Sequence, residues 1–456
     1  MAEARPGAAA SGRRPYRTGG LALLVAGMLA LAFNLRAAIT GLPPVFPELS
    51  AALHLSSGTI ALLAAIPVLC FGLVSGLGAP LSRRFGEERV LLAALLLLAA
   101  GLLLRGSVPG VLLFPGTVLA GAAIALMNVL LPSLVKRRRP DRAGVLIGAY
   151  LLTMSSGAVV GALIAVPVYQ AAAGSTAAAA GWPVQLTLGL WALPALAAAV
   201  AWLPQVRYRT VPGPLGPESD GLEAEGLETA GPETTGPETT GPGPAGPGNA
   251  TAGRHRVSRR TPVNRHLLAW QVAAFMGLQS LTYYAALSWL PTLFRDRGVS
   301  PEHAGDLLAL MNLGNAVTAM LMPVLAHRAR DQRVLVVAAA LASAVGLTGA
   351  LLAPVSTAFV WTLLLGLGQG ASLGLAIFFT VARAPDPVAS ASLSGFAQSV
   401  GYLIATGGPL AIGVLHTATG GWDVPVMALL GATVVQLSAG VLAGRARTLP
   451  GLARPA

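Results

Sequence analysis

The stretch LALLVAGMLALAFNLRAAITGLPPVF, from Leu21 to Phe46, decides the fold. It is the first part of the chain long enough to cross a bilayer, which takes about 20 apolar residues. Arg36 lies well inside it. A charge at the bilayer centre costs at least about 2.5 kcal/mol, and such residues usually face a bundle interior or a water-filled cavity. The stretch therefore predicts a membrane helix that lines a cavity.

The composition indicates a polytopic membrane protein. Hydrophobic residues make up 54% of the 456 positions and charged residues 11%, whereas about a quarter of a soluble domain is charged. The net charge of +12 could suggest binding to nucleic acid. The basic residues, however, lie between apolar runs and do not form a solvent-exposed patch together with aromatic residues, so no nucleic-acid partner is expected. Cys70 is the only cysteine, which excludes disulfides within the chain and multi-thiolate metal sites. No cofactor or metal is expected.

Twelve apolar stretches approach the length of a membrane span. They predict an all-α membrane protein of twelve transmembrane helices in two six-helix bundles. The stretches are 20–43, 58–80, 89–105, 111–134, 143–170, 184–204, 266–291, 304–326, 333–353, 357–382, 389–415 and 424–443.

The basic residues predict the topology. With a cytoplasmic N-terminus, 26 of the thirty Lys and Arg residues fall on the cytoplasmic side, Arg105, Arg295 and Arg297 fall outside, and Arg36 falls in the membrane. This distribution satisfies the positive-inside rule, so both termini are expected in the cytoplasm and the chain in the cytoplasmic membrane. A signal peptide is the alternative for the basic N-terminus, but no small-residue cleavage site follows it before Asn34.

A polar insert separates the two bundles. It contains GPETTGPETTGPGPAGPGNA, and seven of the eighteen acidic residues lie between Glu218 and Glu238. Such a segment cannot bury enough apolar surface to fold, so a disordered linker is expected. The predicted organisation is a basic cytoplasmic tail over 1–19, bundles over 20–204 and 265–444, a disordered cytoplasmic linker over 205–264 and a cytoplasmic tail over 445–456.

The two halves of the chain resemble each other at a nearly constant offset. Arg84, Glu87 and Arg89 match Arg328, Asp331 and Arg333 at 244 residues, and the sequence RRPD from Arg138 matches RAPD from Arg383 at 245. A third match, LPPVF from Leu42 against LPTLF from Leu290, has an offset of 248. These matches predict a duplicated six-helix unit. Parallel repeats of this kind can expose a central site alternately to either side of a membrane.

The six-plus-six plan resembles the major facilitator superfamily. The loop APLSRRFGEER, from Ala79 to Arg89, is similar to the superfamily signature between helices two and three, although Arg83 stands where an aspartate is usual and Glu87 where a basic residue is usual. The resemblance implies a gating role for the loops of the two halves. The residues concerned are Arg83, Arg84, Glu87, Arg328 and Asp331.

A narrower resemblance rests on helices one and seven. The sequences NLR at 34–36 and GLPP at 41–44, with QSLTYY at 279–284 and WLP at 289–291, are similar to the cyanate permease and nitroimidazole transporter (CynX/NimT) family. This resemblance implies a transporter and supports Gln279, Tyr283 and Tyr284 as site residues.

Helical geometry separates the polar residues of the first helix. At 100° per residue, Asn34 and Arg36 point about 200° apart, whereas Thr40 shares the face of Arg36. We predict that Arg36 faces the cavity and binds an anionic or polar solute through its forked donors, and that Asn34 makes a helix–helix hydrogen bond. The alternative for Arg36 is a bond to carbonyls near Pro43. No carboxylate lies inside an apolar core, so no acidic partner is expected for Arg36.

Other polar residues recur at helical spacing and could line the same cavity. Interhelical hydrogen bonding is the alternative for each of them. Four glycines of the fifth span, Gly144, Gly148, Gly157 and Gly161, are predicted to allow close helix packing. The predicted substrate-binding set is Arg36, Thr40, Asn128, Tyr150, Gln279, Tyr283, Tyr284, Trp289, Asn312, Asn315, Gln369, Gln398 and Tyr402.

The function expected from these features is transport of a small polar or anionic solute by alternating access, in a transport unit of one chain. Proton-coupled efflux of a drug or nitroheterocycle is the alternative within transport. A membrane sensor without transport is a second alternative, although the only long insert is of low complexity. An enzyme would need acid and base groups at one membrane depth, and none are apparent.

Overall fold

The computed structural model describes residues 18–139, 142–174, 182–207 and 263–449. The elements in these ranges are α-helices joined by short loops and 3-10 turns. Nine helices form the N-terminal bundle. They are α1 (Thr18–Thr40), α2 (Phe46–Leu53), α3 (Ser57–Val74), α4 (Gly78–Phe85), α5 (Glu87–Ser107), α6 (Pro109–Arg138), α7 (Ala143–Ala173), α8 (Trp182–Gly189) and α9 (Ala192–Trp202).

Six helices of the described chain form the C-terminal bundle. They are α10 (Leu267–Asp296), α11 (Pro301–Arg328), α12 (Gln332–Leu352), α13 (Ala358–Ala382), α14 (Pro387–Thr419) and α15 (Asp423–Ala443). Most of the predicted linker, and the outer parts of both predicted tails, lie outside the described residues.

Eleven segments of the described chain are long and apolar enough to cross a membrane. The remaining predicted span corresponds to α10, which is not among them. Its 30 residues would reach about 45 Å at 1.5 Å per residue, more than the hydrocarbon thickness. Its middle carries Gln279, Ser280, Thr282 and two tyrosines, which lower its hydropathy. The count of twelve spans and the orientation of the termini therefore stay predictions.

Equivalent contacts in the two bundles agree with the predicted repeat. Arg138 at the end of α6 forms an ion pair with Glu88, at the start of α5, and donates to Oε1 of Gln205 at 2.8 Å. Arg383, 245 residues after Arg138, donates to Oε1 of Gln332 at 3.0 Å and to a carbonyl at the end of α15. In each half, an arginine at the end of the fourth membrane span thus connects the start of the third span to the end of the sixth span.

Two helix pairs join the bundles, α7 with α11 and α3 with α14. At one end, which we call the closed end, the members of each pair touch: a Cβ atom added at Gly305 would lie 2.9 Å from the Ala162 carbonyl oxygen, and one added at Gly413 would lie 2.4 Å from Cβ of Ala61. Gly144 and Gly395 lie 18 residues before Ala162 and Gly413, which is five helical turns and therefore the same helix face.

At the other end, the open end, these faces have no neighbour. A Cβ atom added at Gly144, Gly148 or Gly395 would meet nothing within 4 Å. The two bundles therefore diverge from the closed end toward the open end. The prediction of close packing at Gly144 and Gly148 was wrong for this conformation, because no atom of a neighbouring helix lies close to these two glycines. At Gly157 and Gly161 it is confirmed, since added Cβ atoms would lie 2.3 and 2.4 Å from atoms of α1.

Candidate functional site

Arg36 lies where the two bundles meet, and its side chain reaches from one bundle to the other. Its Nη1 donates to the hydroxyl of Tyr283 on α10 at 3.1 Å. The Tyr283 hydroxyl in turn donates to Oδ1 of Asn312 on α11 at 2.9 Å, and Nδ2 of Asn312 donates to the Leu308 carbonyl at 2.8 Å. This chain of hydrogen bonds fixes the guanidinium of α1 against two helices of the C-terminal bundle.

Aromatic rings provide the other contacts of the Arg36 charge. Its guanidinium carbon lies 5.4 Å from the ring centroid of Tyr283 and 5.7 Å from that of Tyr284. Both distances are within the range of cation–π attraction. Among the described residues no ion pair involves Arg36, as expected from the absence of carboxylates at its depth. The contacts of the charge are therefore two tyrosines, of which Tyr283 is in turn held by Asn312.

A cavity of about 60 Å³ adjoins the guanidinium. It is larger than the roughly 10–15 Å³ that one water needs. Its polar lining is confined to a few side chains, and the remainder is aliphatic or thioether. The lining residues are Arg36, Leu151, Met154, Ser155, Ala158, Tyr283, Asn312, Asn315, Ala316, Ala319, Met320, Leu373 and Ile377.

On the first helix, Asn34 makes the predicted helix–helix hydrogen bond, whereas Thr40 does not line the cavity with Arg36. Asn34 is 3% exposed and donates to the Pro194 carbonyl of α9 at 3.1 Å. Thr40 is fully buried, and its hydroxyl contacts the Ala158 carbonyl of α7 at 2.9 Å. The expectation that Thr40 lines the cavity was wrong for this conformation, because close packing of α7 on α1 covers that part of the face.

Gln369 of the predicted set belongs to a polar network inside the C-terminal bundle, and Gln279 is buried in the same bundle. Thr282 lies 3.3 Å from the side-chain oxygens of both Gln369 and Gln436, and Gln436 donates to Ser372 at 3.1 Å. Gln279 and Gln369 are each 2% exposed. Both lie outside the cavity, where buried amides still need hydrogen-bond partners: Gln369 has them on a neighbouring helix, and Gln279 donates to Ser280 of its own helix at 2.6 Å.

Six further predicted residues lie outside the lining of the Arg36 cavity in this conformation: Asn128, Tyr150, Tyr284, Trp289, Gln398 and Tyr402. Asn128 accepts a hydrogen bond from Tyr150 at 3.3 Å within the N-terminal bundle. Gln398 donates to Ser394 of its own helix at 2.9 Å, and Trp289 donates to the Pro409 carbonyl at 3.0 Å. The ring centroid of Tyr402 lies 5.5 Å from that of Phe71 in the opposite bundle, and the centroid of Tyr284 lies 6.4 Å from the same ring.

The predicted gating loops lie at the open end. Glu87 is 1% exposed; it accepts a hydrogen bond from Ser133 at 2.9 Å and lies 3.6 Å from Nε of Arg137, all within the N-terminal bundle. Asp331 accepts from the backbone of Arg333 at 2.9 Å and so caps α12. Arg83, Arg84 and Arg328 are exposed. The contacts of Glu87 and Asp331 hold helix ends within one bundle.

An ion pair joins the bundles at the closed end. Arg295 of α10 lies 2.7 Å from Glu48 of α2, and Nη1 of Arg295 also lies 3.4 Å from the Pro44 carbonyl. The two side chains are 19% and 14% exposed. The sequence places both residues on the outer side, but their pairing across the bundles depends on tertiary structure that helix periodicity does not show.

Sequence reasoning missed the α7 wall of the cavity and the burial of Arg105. Leu151, Met154, Ser155 and Ala158 follow the helical spacing that faces one direction, and Ser155 was the polar signal that could have indicated it. Arg105 was predicted to lie on the outer side of the membrane, which stays a prediction. The structure adds that its side chain, at the end of α5, is only 3% exposed, because α8 covers it and accepts its hydrogen bond.

Comparison with known proteins agrees with this architecture. The profile of the Major Facilitator Superfamily matches residues 27–409. The 2-nitroimidazole transporter of Escherichia coli (strain K12) is 36% identical over 93% of this chain and 95% of its own length. The cyanate transport protein CynX of the same organism is 28% identical over 90% and 95%. The crystal structure of a D-xylose-proton symporter has the same fold, with a TM-score of 0.67 at 15% identity over 94% of this chain and 99% of that one.

These matches cover both bundles and include the helices that carry Arg36 and Tyr283. They also agree with a chain that crosses the cell membrane several times. The chain belongs to the major facilitator superfamily and, within it, to the family of the cyanate and 2-nitroimidazole transporters.

Proposed function

We propose that the protein moves a small polar or anionic solute across the cytoplasmic membrane by alternating access, and that the solute binds beside Arg36 between the two bundles. One chain is the transport unit. The solute moves either by facilitated diffusion or by secondary active transport driven by an ion gradient. The observation that carries the proposal is a cavity between the bundles with a guanidinium in its wall and no carboxylate among its lining residues.

The chemistry of the cavity favours an amphipathic solute. Arg36 offers a forked set of N–H donors, which matches two oxygens in one plane, and Asn315 offers a side-chain amide beside it. The apolar part of the lining includes Leu151, Met154 and Ile377. A carboxylate or a nitro group on a small apolar body fits both parts. The solute class we propose is therefore a small planar organic anion or nitro compound.

The arrangement of the bundles supports a carrier that alternates. The helix pairs that join the bundles touch at the closed end and diverge at the open end. With the topology predicted from the basic residues, the open end faces the cytoplasm, and this conformation is inward-facing. The Glu48–Arg295 pair must then separate when the outer side opens, while the open ends of α7 and α14 approach their partners.

The test is solute uptake into proteoliposomes that contain the wild type, Arg36→Ala or Arg36→Lys. Hydrogen bonds to charged groups contribute about 1.5–3 kcal/mol each, so Arg36→Ala is expected to lower transport of a bound anion by at least tenfold. Arg36→Lys keeps the charge but loses the fork, and an intermediate loss is expected. Arg445→Ala, at an exposed position, is the matched control. Full transport by a correctly inserted Arg36→Ala protein would contradict the proposal.

Efflux of a nitroheterocycle is the second candidate. It is supported by the 36% identity to a protein named as a 2-nitroimidazole transporter and by the apolar wall of the cavity. Cells that express the chain would then accumulate less 2-nitroimidazole, and dissipating the proton gradient would abolish the difference. Equal accumulation with and without the protein would exclude this candidate and leave anion transport in place.

A further inference from the structure

Arg105 is a buried arginine whose charge has no ion-pair partner among the described residues. Among the described residues its guanidinium makes one hydrogen bond, from Nη2 to the Leu188 carbonyl at 3.3 Å, and its buried Nε makes none. The same part of the chain contains no ion pair to Arg105. Buried charges in proteins are normally paired because desolvation is costly. The described part of the chain therefore supplies no anionic group that neutralises Arg105.

A small cavity lies in front of this side chain. Its volume is about 30 Å³, enough for about two waters or one small inorganic anion. Aliphatic and aromatic side chains form most of the wall, and the polar lining consists of Arg105, Thr117, Tyr284 and Ser288. None of the lining residues is a carboxylate, so a cation would find no counter-charge there.

The cavity also offers a second donor from the opposite bundle. Ser288 of α10 is 4% exposed, and within the described ranges its hydroxyl makes no hydrogen bond. Thr117, by contrast, donates to the Leu113 carbonyl at 2.7 Å. An ion in the cavity can therefore receive hydrogen bonds from Arg105 of the N-terminal bundle and from Ser288 of the C-terminal bundle at the same time.

This cavity is distinct from the one beside Arg36. The two share no lining residue, and Tyr284 lies between them, in the wall of one and 5.7 Å from the guanidinium of Arg36. Along the chain the second cavity is lined from Ala38, near the end of α1, through Leu42 to Phe46 at the start of α2, so it lies on the closed-end side of Arg36.

We propose that the Arg105 cavity binds a small inorganic anion, a halide or an ion of similar size. The anion neutralises Arg105 and connects the bundles through Ser288. Because its donors come from both bundles, the anion binds the conformation that is shut at the closed end more tightly than a conformation in which α10 has moved away. A ligand that prefers one conformation shifts the equilibrium toward it. The proposal does not depend on the identity of the transported solute.

The test uses bromide with the purified full-length protein. One anomalous-scattering peak at Arg105 is expected in crystals grown in bromide, and titration calorimetry is expected to show one bromide site. Arg105→Gln should abolish this site, and Ser288→Ala should weaken bromide binding by about tenfold, the value of one hydrogen bond to a charged group. Arg36→Gln, the control, should leave bromide binding at Arg105 unchanged.

The proposal is overturned if the wild type shows no bromide at Arg105 at saturating concentration, or if bromide binding survives Arg105→Gln. If Arg105→Gln fails to fold, the Ser288→Ala variant and the position of the anomalous peak still test the proposal. Bromide that binds elsewhere and is insensitive to Ser288→Ala would also contradict it. These outcomes are separate from those for transport, which Arg36 variants test.

Discussion

Gly413→Ala should open the closed end of the protein. A Cβ atom at this position would lie 2.4 Å from Cβ of Ala61 and 2.7 Å from Cζ2 of Trp289, whereas non-bonded carbons are most stable about 3.5–4.0 Å apart. Trp289 cannot easily move, because it is buried and donates to the Pro409 carbonyl. Overpacking of this kind typically costs about 1–3 kcal/mol.

The clash with Ala61 arises only in the conformation in which α14 touches α3 at Gly413, whereas the clash with Trp289, in the same bundle as α14, remains when the closed end opens. The Ala61 part of the cost is therefore the part that distinguishes the two conformations. A difference of 1–3 kcal/mol shifts an equilibrium by about 5–150-fold, so Gly413→Ala should enrich the conformation that is open at this end. The assay is the distance between two spin labels across the closed end, attached through Ala51→Cys and Ala418→Cys in a Cys70→Ala background. We expect the population with the longer distance to increase.

Gly395→Ala is the matched control. Gly395 lies five turns away on the same face of α14, and an added Cβ would meet nothing within 4 Å. This variant should leave the closed-end distance short. The reasoning is refuted if Gly413→Ala leaves the distances unchanged, or if Gly395→Ala lengthens them equally.

Three further predictions concern contacts around the site. Glu48→Gln should favour opening of the closed end by about two- to fivefold, because the half-buried pair with Arg295 is worth at most about 1 kcal/mol. In the same distance measurement, the double variant Glu48→Arg with Arg295→Glu, which exchanges the two charges, should partly restore the closed end. Tyr283→Phe removes the hydroxyl that orients the guanidinium and should raise KM about five- to tenfold with little change in expression, whereas an unchanged KM would argue against that role. Asn34→Leu loses the hydrogen bond to α9 and should lower thermal stability by about 1 kcal/mol while KM stays constant; a changed KM would show that Asn34 acts in the site.

The fold was accessible from sequence because its signals are strong and local. Apolar length identifies the membrane-crossing helices, and the repeated pattern around Arg138 and Arg383 identifies the two halves, which contain equivalent contacts in the structure. The charge of Arg36 within an apolar run made it a cavity residue by a simple energetic argument. The α10 span is the predicted span that is not among the eleven segments apolar enough to cross a membrane, because the polar residues in its middle lower its hydropathy.

The composition of the site was only partly accessible. Periodicity reports which residues share a helix face, but it does not distinguish a face that lines a cavity from one that packs on another helix. Asn312 and Asn315 face the cavity, whereas Gln369 has the same polarity and lies in a network within one bundle. Thr40 was predicted from its spacing to Arg36, yet the approach of α7 covers it. Such differences depend on the packing of separate helices.

The most direct test of the central claim is protection of a thiol in the cavity. Ser155 lines the cavity with Arg36, and Cys70 is the only native cysteine, so Ser155→Cys in a Cys70→Ala background gives one reporter. The rate of its alkylation would be measured with increasing 2-nitroimidazole, cyanate or a small aromatic carboxylate. The account predicts that at least one of these solutes slows alkylation, and that adding Arg36→Gln raises the half-protecting concentration at least tenfold. Protection that is equally strong with Arg36→Gln would contradict the claim that Arg36 binds the solute.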